Sequence, residues 1–475
     1  MQAVDAHWRK PVAVTVLLIG SVFGWLAMEI PKGILSHSGD ELLTAERSRE
    51  MLLLGRSEVH FNFEPSFRKP PLQYWLTSLT LQRFKNRTLA VRVWPWFYGV
   101  LTAISVAWLA SLLEPSRAWL VPLTVALVTS CPLFSTEASR GLLDIGLAFF
   151  TTVAFVFAQL ARRNPAWWLG VAAVCWLGSL QKIPITFLVW LLLVAVRLIS
   201  PLERQSLRSG WLLISILGGL GTMAIWPAFQ LLKYEVPLHH LFDQEVLARL
   251  GPENLGARPY LEIPYRLSIT SACGVFLLVA PFVVLFWRKG KFTTAASELS
   301  IVCLALIALE ALFNFRWVRY IEPIIPALCL LLAIVLHRLL EQRRAVRIAT
   351  TLFLTVLLVA GFVQTKLQID YRRKNVADEK RVAEELGVLQ SKGTRTVLIK
   401  AVEVGGDLLF ASFYLFHGNL RFPVEKYTVD EIRQSPSPPP VIGVCVVRDF
   451  PVVREVYPNA RVQFIRARFI IWRVD

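Results

Sequence analysis

Long apolar stretches dominate this chain, most of them roughly 17 to 23 residues, the length of helix that crosses a hydrocarbon core about 30 Å thick. They fall near residues 11–30, 91–113, 118–135, 141–160, 166–180, 182–198, 211–232, 267–287, 298–314, 320–339 and 346–365. The pattern predicts a polytopic α-helical membrane protein with about eleven to thirteen transmembrane helices. The runs 166–180 and 182–198 are short enough to form one re-entrant pair. After residue 365 the texture changes. "VADEKRVAEELGVLQ" has the period of an amphipathic helix, "RTVLIKA", "VIGVCVV" and "VQFIRA" read as short strands, and "SPSPPP" (435–440) reads as a turn-rich connector. Residues 1–365 are therefore expected to form a transmembrane domain and residues 366–475 a small α/β soluble domain.

Polar positions between the first two runs, residues 31–90, hold two further helical patterns. In "ELLTAERSREMLLLG", Ser38 or Gly39 can cap a helix that Gly55 ends. Leu42, Leu43, Ala45, Leu52 and Leu53 share a broad arc of its wheel, but Glu46, Arg49 and Glu50 fall inside the same arc. A solvated face would segregate charge from leucine, so these groups are expected to pair internally or to line a wet cavity. In "KPPLQYWLTSL" two prolines suit a helix start, followed by Leu72, Trp75, Leu76 and Leu79 at helical spacing. Tyr74 and Trp75 are residue types that settle at headgroups, so the loop reads as two interfacial helices.

Composition agrees with a membrane class: of 475 residues 55% are hydrophobic, and the mean hydropathy is +0.51. The six cysteines show no CxxC spacing, so neither a disulfide framework nor a thiolate metal site is expected. A net charge of +17 would suggest nucleic acid in a soluble protein. Here, with the N-terminus inside and the spans alternating, the bases collect in cytoplasmic loops: Arg9 and Lys10; Arg117; Arg162 and Arg163; Arg197, Arg204 and Arg208; Arg288, Lys289 and Lys291; Arg338, Arg343, Arg344 and Arg347. No nucleic-acid partner is implied. The first run has a short basic flank but no small-x-small cleavage site, and is read as a retained helix. This topology puts the loop 31–90, the segment 233–265 with His239, His240 and Asp243, and the tail on the extracytoplasmic side of a cytoplasmic (inner) membrane.

Some bases break the positive-inside trend. Arg68 and Lys69 precede the second loop helix, whose N-terminal amides favour an anion. Arg140 stands at an outer span mouth with Asp144 one turn further in, Lys182 sits between two runs, and Arg316 and Arg319 flank another outer boundary. Ionisable groups near spans are costly and are usually paired or functional. On the same side as Asp40 and Glu41, they suggest a site for an anionic ligand.

An acidic pair after the first span (Asp40-Glu41), the stretch Glu46 to Leu52, and Lys69-Pro70-Pro71-Leu72 with Tyr74-Trp75 resemble the lipid-dependent membrane glycosyltransferases of the GT-C fold. The branch they are most similar to is the aminoarabinose transferase and protein mannosyltransferase superfamily. Weaker echoes follow in Arg140 with Asp144, Lys182-Ile183-Pro184, Trp226-Pro227, Arg319-Tyr320 with Pro323 and Pro326, and "SFYLFHG" in the tail. Where the family commonly has glutamate before the lysine and two prolines, this sequence has Arg68. That glutamate resembles a metal-ligand position, and arginine does not coordinate, so a divalent metal is doubtful and no cofactor is assigned. Lys182-Ile-Pro also stands where Lys-Gly-Pro is more usual.

The resemblance implies a polyprenyl-phosphate sugar donor and a lipid, glycan or protein acceptor. Inverting transfer needs a carboxylate to take the acceptor's proton or to stabilise an oxocarbenium-like transition state. The phosphate leaving group needs cations rather than a general acid. Asp40 is the expected carboxylate, with Glu41 orienting it and a plain helix-cap role as the alternative. Lys69, Arg68, Arg140, Lys182, Arg316 and Arg319 are the candidate phosphate contacts. Glu46, Tyr74 and Asp144 are supporting residues, Asp144 as the holder of Arg140. The other readings are a lipid-linked-glycan transporter or flippase, a glycan polymerase or ligase, and a non-catalytic scaffold.

Overall fold

The computed structural model describes residues 2–35, 40–66, 69–182, 185–199, 210–234, 272–287, 292–312, 318–372, 376–399 and 407–475. Among these, each of the eleven apolar runs carries a helix, because a backbone in lipid satisfies its own donors and acceptors most simply that way. In chain order the first helices are α1 (Gln2–Glu29), α2 (Asp40–Leu54), α3 (Leu72–Arg83), α4 (Arg87–Leu113), α5 (Leu120–Ser130), α6 (Pro132–Glu137), α7 (Asp144–Leu160), α8 (Trp167–Gln181) and α9 (Ile185–Ile199). They are followed by α10 (Gly210–Tyr234), α11 (Gly274–Phe286), α12 (Thr294–Leu312), a 3-10 turn Val318–Ile324, α13 (Ile325–Leu340) and α14 (Arg344–Arg372). Among the described residues five spans are long and apolar enough to cross a membrane: Trp8–Glu29, Arg87–Leu113, Gly210–Lys233, Ile321–Leu340 and Arg344–Tyr371. The rest of the eleven are shorter apolar helices. The run 118–135 is broken at Cys131 by Pro132, which starts α6, and the pair expected at 166–198 is two separate short helices, α8 and α9.

The chain divides into two compact units, residues 1–29 with 95–369, and residues 30–94 with 370–475. Where the sequence suggested a transmembrane domain carrying the first loop, that loop belongs to one unit with the tail.

In the first unit, α5 packs on α1 and α13, and α7 on α8, α9 and the 3-10 turn. Gly361 of α14 shows how closely helices approach: a Cβ there would lie 2.1 Å from the Ser130 carbonyl oxygen. Small residues permit such approaches in lipid, where close packing has to replace the hydrophobic drive. Gly361→Val is expected to lower the Tm of the detergent-purified protein by several degrees, whereas Gly20→Val, where a Cβ meets nothing within 4 Å, leaves it unchanged.

In the second unit, helix α15 (Ala377–Leu389), β3 (Arg395–Ile399), α16 (Asp407–His417), β4 (Val424–Tyr427), α17 (Val429–Gln434), β5 (Val441–Val446), α18 (Phe450–Val456), β6 (Arg461–Arg466) and β7 (Phe469–Val474) build the tail. The hairpin of β1 (His60–Phe61) and β2 (Glu64–Pro65) belongs to the loop. The tail strands make one sheet in the order β4-β3-β5-β7-β6, parallel between β3 and both its neighbours and antiparallel from β5 onward. Strand alternation decides its two faces. Leu398, Ile442 and Val444 join α15 and α16 on one side, and Val397, Val441 and Cys445 join Ile432, Val453 and Trp472 on the other. Leu35, Leu42, Ala45 and Val91 of the first loop belong to the first of these cores. The β6 edge is exposed and begins and ends in arginine, Arg461 and Arg466, which discourages pairing with another strand. Strands β4 and β7 and helix α16 were not separately foreseen from the sequence.

Candidate active site

Helix α2 answers the question its interleaved charge raised. From Glu41 to Met51 every residue is buried, so a helix lying on a membrane surface is excluded for α2. It is a core helix of the second unit, held by α3, α16 and β1. Burying an unpaired charge costs roughly several kcal/mol, and each of the three buried acids of α2 has found donors. Glu41 accepts two bonds from Arg92, at 2.6 Å from Nε and 3.1 Å from Nη2, while Arg92 Nη1 also donates to the Ile30 and Lys32 carbonyls. Glu46 accepts two from Arg49, at 2.8 and 2.6 Å, and Arg49 donates onward to the Leu420 carbonyl and Asn419 Oδ1 in the tail. Glu50 accepts the backbone N–H groups of Asn62 and Phe63, both at 2.8 Å. Those two residues adopt φ of 57° and 66°, the left-handed turn between β1 and β2 that aims both amides at one carboxyl. Gly55, at φ 60°, ends α2 in the left-handed conformation that favours glycine.

Arg47, on the same helix, donates to the Tyr74 hydroxyl at 3.0 Å and lies 5.7 and 5.9 Å from the ring centres of Tyr74 and Phe61. Tyr74 is only 1% exposed, so the headgroup position expected for it is corrected. It is a core residue, and Trp75, 36% exposed, is the outward aromatic of α3. The sequence had no spacing signal for Arg92 or Arg47. Their acid and aromatic partners come from other elements.

Burial beside Glu46 pushes the Glu50 carboxyl up to about 9 against the pull of the Phe63 amide and Arg49. A carboxyl whose folded pKa lies above its unfolded value binds more protons when folded. Its contribution is then complete below the unfolded pKa near 4.5 and is lost as pH rises toward 9. Glu50→Gln is therefore expected to flatten the fall of Tm between pH 5 and 9, measured on the detergent-purified full-length protein.

Asp40 begins α2 and is the one of its four acids, Asp40, Glu41, Glu46 and Glu50, that keeps partial exposure. Glu41, expected to orient Asp40, is held by Arg92. Lys69 lies half-buried just before Pro70 and Pro71, and α3 starts immediately after them. Arg68 lies outside the described residues, as do Arg316 and the segment 235–271 with His239, His240 and Asp243. Of Arg319 only the backbone is described, within the 3-10 turn.

The remaining candidates lie in the first unit. Lys182, which ends α8, places Nζ 2.6 Å from Asp144 Oδ1 at the start of α7. Arg140 places Nη1 3.3 Å from Glu137 Oε1. The expected pairing of Asp144 with Arg140 is thus corrected: a lysine on the next helix takes that carboxylate, and the acid one turn earlier in sequence takes the arginine. Lys182 is only 8% exposed. Removing it takes the ammonium away from the buried Asp144 carboxylate, and Lys182→Met is expected to destabilise by about 3–5 kcal/mol, read as a large drop in Tm, while Lys182→Met/Asp144→Leu recovers most of it. Glu322, not singled out from the sequence, is fully buried in the 3-10 turn, within electrostatic reach of Glu137, Asp144 and Lys182. Neither of its carboxyl oxygens has a hydrogen-bond partner among the described residues. No group of three His, Cys, Asp or Glu side chains among the described residues is arranged to hold a metal ion.

Known proteins share this architecture. A family described as dolichyl-phosphate-mannose-protein mannosyltransferase matches residues 56–238. Across 96% of this chain and 97% of the other, the fold follows the crystal structure of ArnT from Cupriavidus metallidurans bound to undecaprenyl phosphate, with a TM-score of 0.74 and 16% identity. The chain has the GT-C fold that ArnT adopts. It is also similar in fold to the archaeal oligosaccharyltransferase AglB from Archaeoglobus fulgidus, with a TM-score of 0.56 and 11% identity over 88% of this chain and 64% of that one. In sequence, the GT-C chain is 31% identical over 191 residues to an undecaprenyl phosphate-alpha-4-amino-4-deoxy-L-arabinose arabinosyl transferase of Sodalis glossinidius, covering 39% of this chain and 33% of that protein. An enzyme of the same description from Erwinia tasmaniensis is 32% identical over 150 residues, 30% and 27% of the two chains. The match thus spans about a third or less of the curated relatives' length. The apolar helices make this a multi-pass membrane protein.

Proposed function

We propose that this protein is an integral-membrane glycosyltransferase that moves a sugar from a polyprenyl-phosphate-linked donor to a lipid, glycan or protein acceptor, with inversion. In this reading the N-terminus is cytoplasmic, and the first loop and the tail work on the extracytoplasmic side. The observation that carries it is the position of Asp40. Glu41, Glu46 and Glu50 are buried within α2, while Asp40 keeps partial solvent access at the helix head. A carboxylate so placed can approach an acceptor hydroxyl and take its proton as the glycosidic carbon is attacked. The donor phosphate leaves as an anion and needs cations held near it. Lys69 fits that need, half-buried ahead of the N-terminal amides of α3, with Arg68 beside it in sequence. The bidentate Arg92–Glu41 pair and the Arg47–Tyr74 bond fix helix α2, which begins at Asp40, and helix α3, which Lys69 precedes.

Arg140, Arg316 and Arg319, the other candidate phosphate contacts, belong to the first unit, where Lys182 is paired with Asp144. Support for a lipid-phosphate donor comes from relatives whose names specify undecaprenyl phosphate sugars and from the undecaprenyl phosphate held by the ArnT structure. Reconstitution of the full chain with a labelled polyprenyl-phosphate sugar, followed by mass spectrometry of envelope lipids and glycans with and without the protein, tests the assignment. A transferred sugar is expected. Movement of the lipid across the bilayer without any transfer product would overturn it. Lys69→Ala is expected to weaken donor binding roughly tenfold, in line with losing one contact to a charged group, and to leave acceptor binding unchanged. Equal loss of both affinities would make Lys69 structural.

A further inference from the structure

A second kind of site lies away from these clusters, where α1, α4 and α5 diverge near the start of the first span. A groove of about 490 Å³ opens there, walled by Trp8 and Val12 of α1, Ala107 and Leu112 of α4, Val121 of α5, and Arg163 from the turn after α7. Its lining is mostly apolar, with Thr15, Ser111 and Arg163 as the polar residues. Trp8, Val12 and Thr15 fall on one face of α1 at successive turns. The face continues outward, with Val12 48% and Val16 63% exposed, so the groove opens where lipid chains run. The first membrane span begins at Trp8, which sets the Trp8 and Arg163 end at headgroup depth, where tryptophan and arginine are at home.

Arg163 is the unusual wall residue. Its neighbour Arg162 is bound to Glu298, but the Arg163 guanidinium is exposed and has no acid or hydrogen-bond partner among the described residues. Arg9, on α1 beside the groove face, is likewise exposed. An apolar trough ending at an uncommitted guanidinium has the two halves of a phospholipid site: a slot for an acyl chain and a cation for one phosphate.

We infer that this groove binds an anionic bilayer phospholipid, with one chain along α1 and α4 and the phosphate on Arg163. The site is independent of the transfer reaction. It holds α1 against α4 and α5 through a lipid that bridges them, and it uses charge of the sign that the headgroups of the cytoplasmic leaflet attract.

The test uses the full chain purified in detergent, with phosphatidylglycerol as the probe and phosphatidylcholine as the neutral control, read by native mass spectrometry and by Tm. Saturable binding of one phosphatidylglycerol in preference to phosphatidylcholine is expected, with a rise in Tm. Arg163→Gln should weaken it about five- to tenfold. Ala107→Phe, which fills the slot and keeps the charge, should weaken it comparably. Arg163 is exposed on a turn, so Arg163→Gln is expected to keep the wild-type Tm in phosphatidylcholine. Equal binding of both lipids, or phosphatidylglycerol binding that neither substitution changes, would overturn the site. Preferential binding of a polyprenyl monophosphate that Arg163→Gln abolishes would overturn its assignment to a bilayer phospholipid.

Discussion

Asp40→Asn is expected to reduce sugar transfer by about 10²–10⁴-fold, the range supplied by a positioned general base, while membrane abundance stays at the wild-type level. The substitution keeps the size of the side chain and its capacity to accept from the first-turn amides of α2, and asparagine serves a helix start about as well as aspartate. What disappears is the charge, whose interaction with the helix dipole accounts for only about 0.3–1 kcal/mol of stability. The experiment therefore separates chemistry from capping. Turnover in proteoliposomes is the readout, with Tm measured in parallel. Asp40→Ala removes both functions and should lose activity and some stability together. If Asp40→Asn turned over normally and only Asp40→Ala melted early, Asp40 would be a helix cap and the transfer proposal would lose its carboxylate.

The largest effect on folding is expected at Arg49→Met. Glu46 is fully buried, and both its oxygens rest on the Arg49 guanidinium at 2.8 and 2.6 Å. Removing the arginine takes away the charged partner of a fully buried carboxyl, which costs about 3–5 kcal/mol, a large part of the stability of an ordinary domain. It also orphans the Leu420 carbonyl, to which Arg49 donates at 2.9 Å. The double substitution Arg49→Met/Glu46→Leu removes the stranded charge, and buried pairs replaced together by apolar groups are often neutral. Most of the lost Tm should return. Limited proteolysis of the tail is a second readout, since Arg49 reaches Asn419 there. A double variant as unstable as the single one would mean that Arg49 acts through its tail contacts rather than through Glu46.

The helical membrane portion was legible because lipid leaves the backbone few options and length alone counts the spans. Charge in α2 was legible as a problem: leucine and charge shared one arc, and internal pairing was one of two stated outcomes. Its solution was not legible, because Arg92, Asn62 and Leu420 come from segments up to 371 residues away. The same limit explains Tyr74. Beside Trp75 at a proline-started helix it had the composition of a membrane-surface residue, and only Arg47 on the neighbouring helix draws it inward. Asp144 illustrates a further limit. Arg140 sits one turn away on the same stretch and was the natural partner, but Lys182 on an adjacent helix is the lysine brought to it. In the tail, alternation revealed β3, β5 and β6. The strand β7, "FIIWRV", apolar almost throughout and covered on both faces, was not read from the sequence.

The union of the first loop with the tail has a consequence for biosynthesis. The Arg49 bond to Asn419 joins residues 370 positions apart. At ordinary synthesis rates of 5–20 residues per second, α2 emerges about 20–70 s before its other half exists. Through that interval a segment carrying Glu41, Glu46, Arg49 and Glu50 has no tail to bury it. Chaperone dependence, sensitivity to C-terminal truncation, and failure of chimaeras that exchange the tail without the loop all follow from that delay.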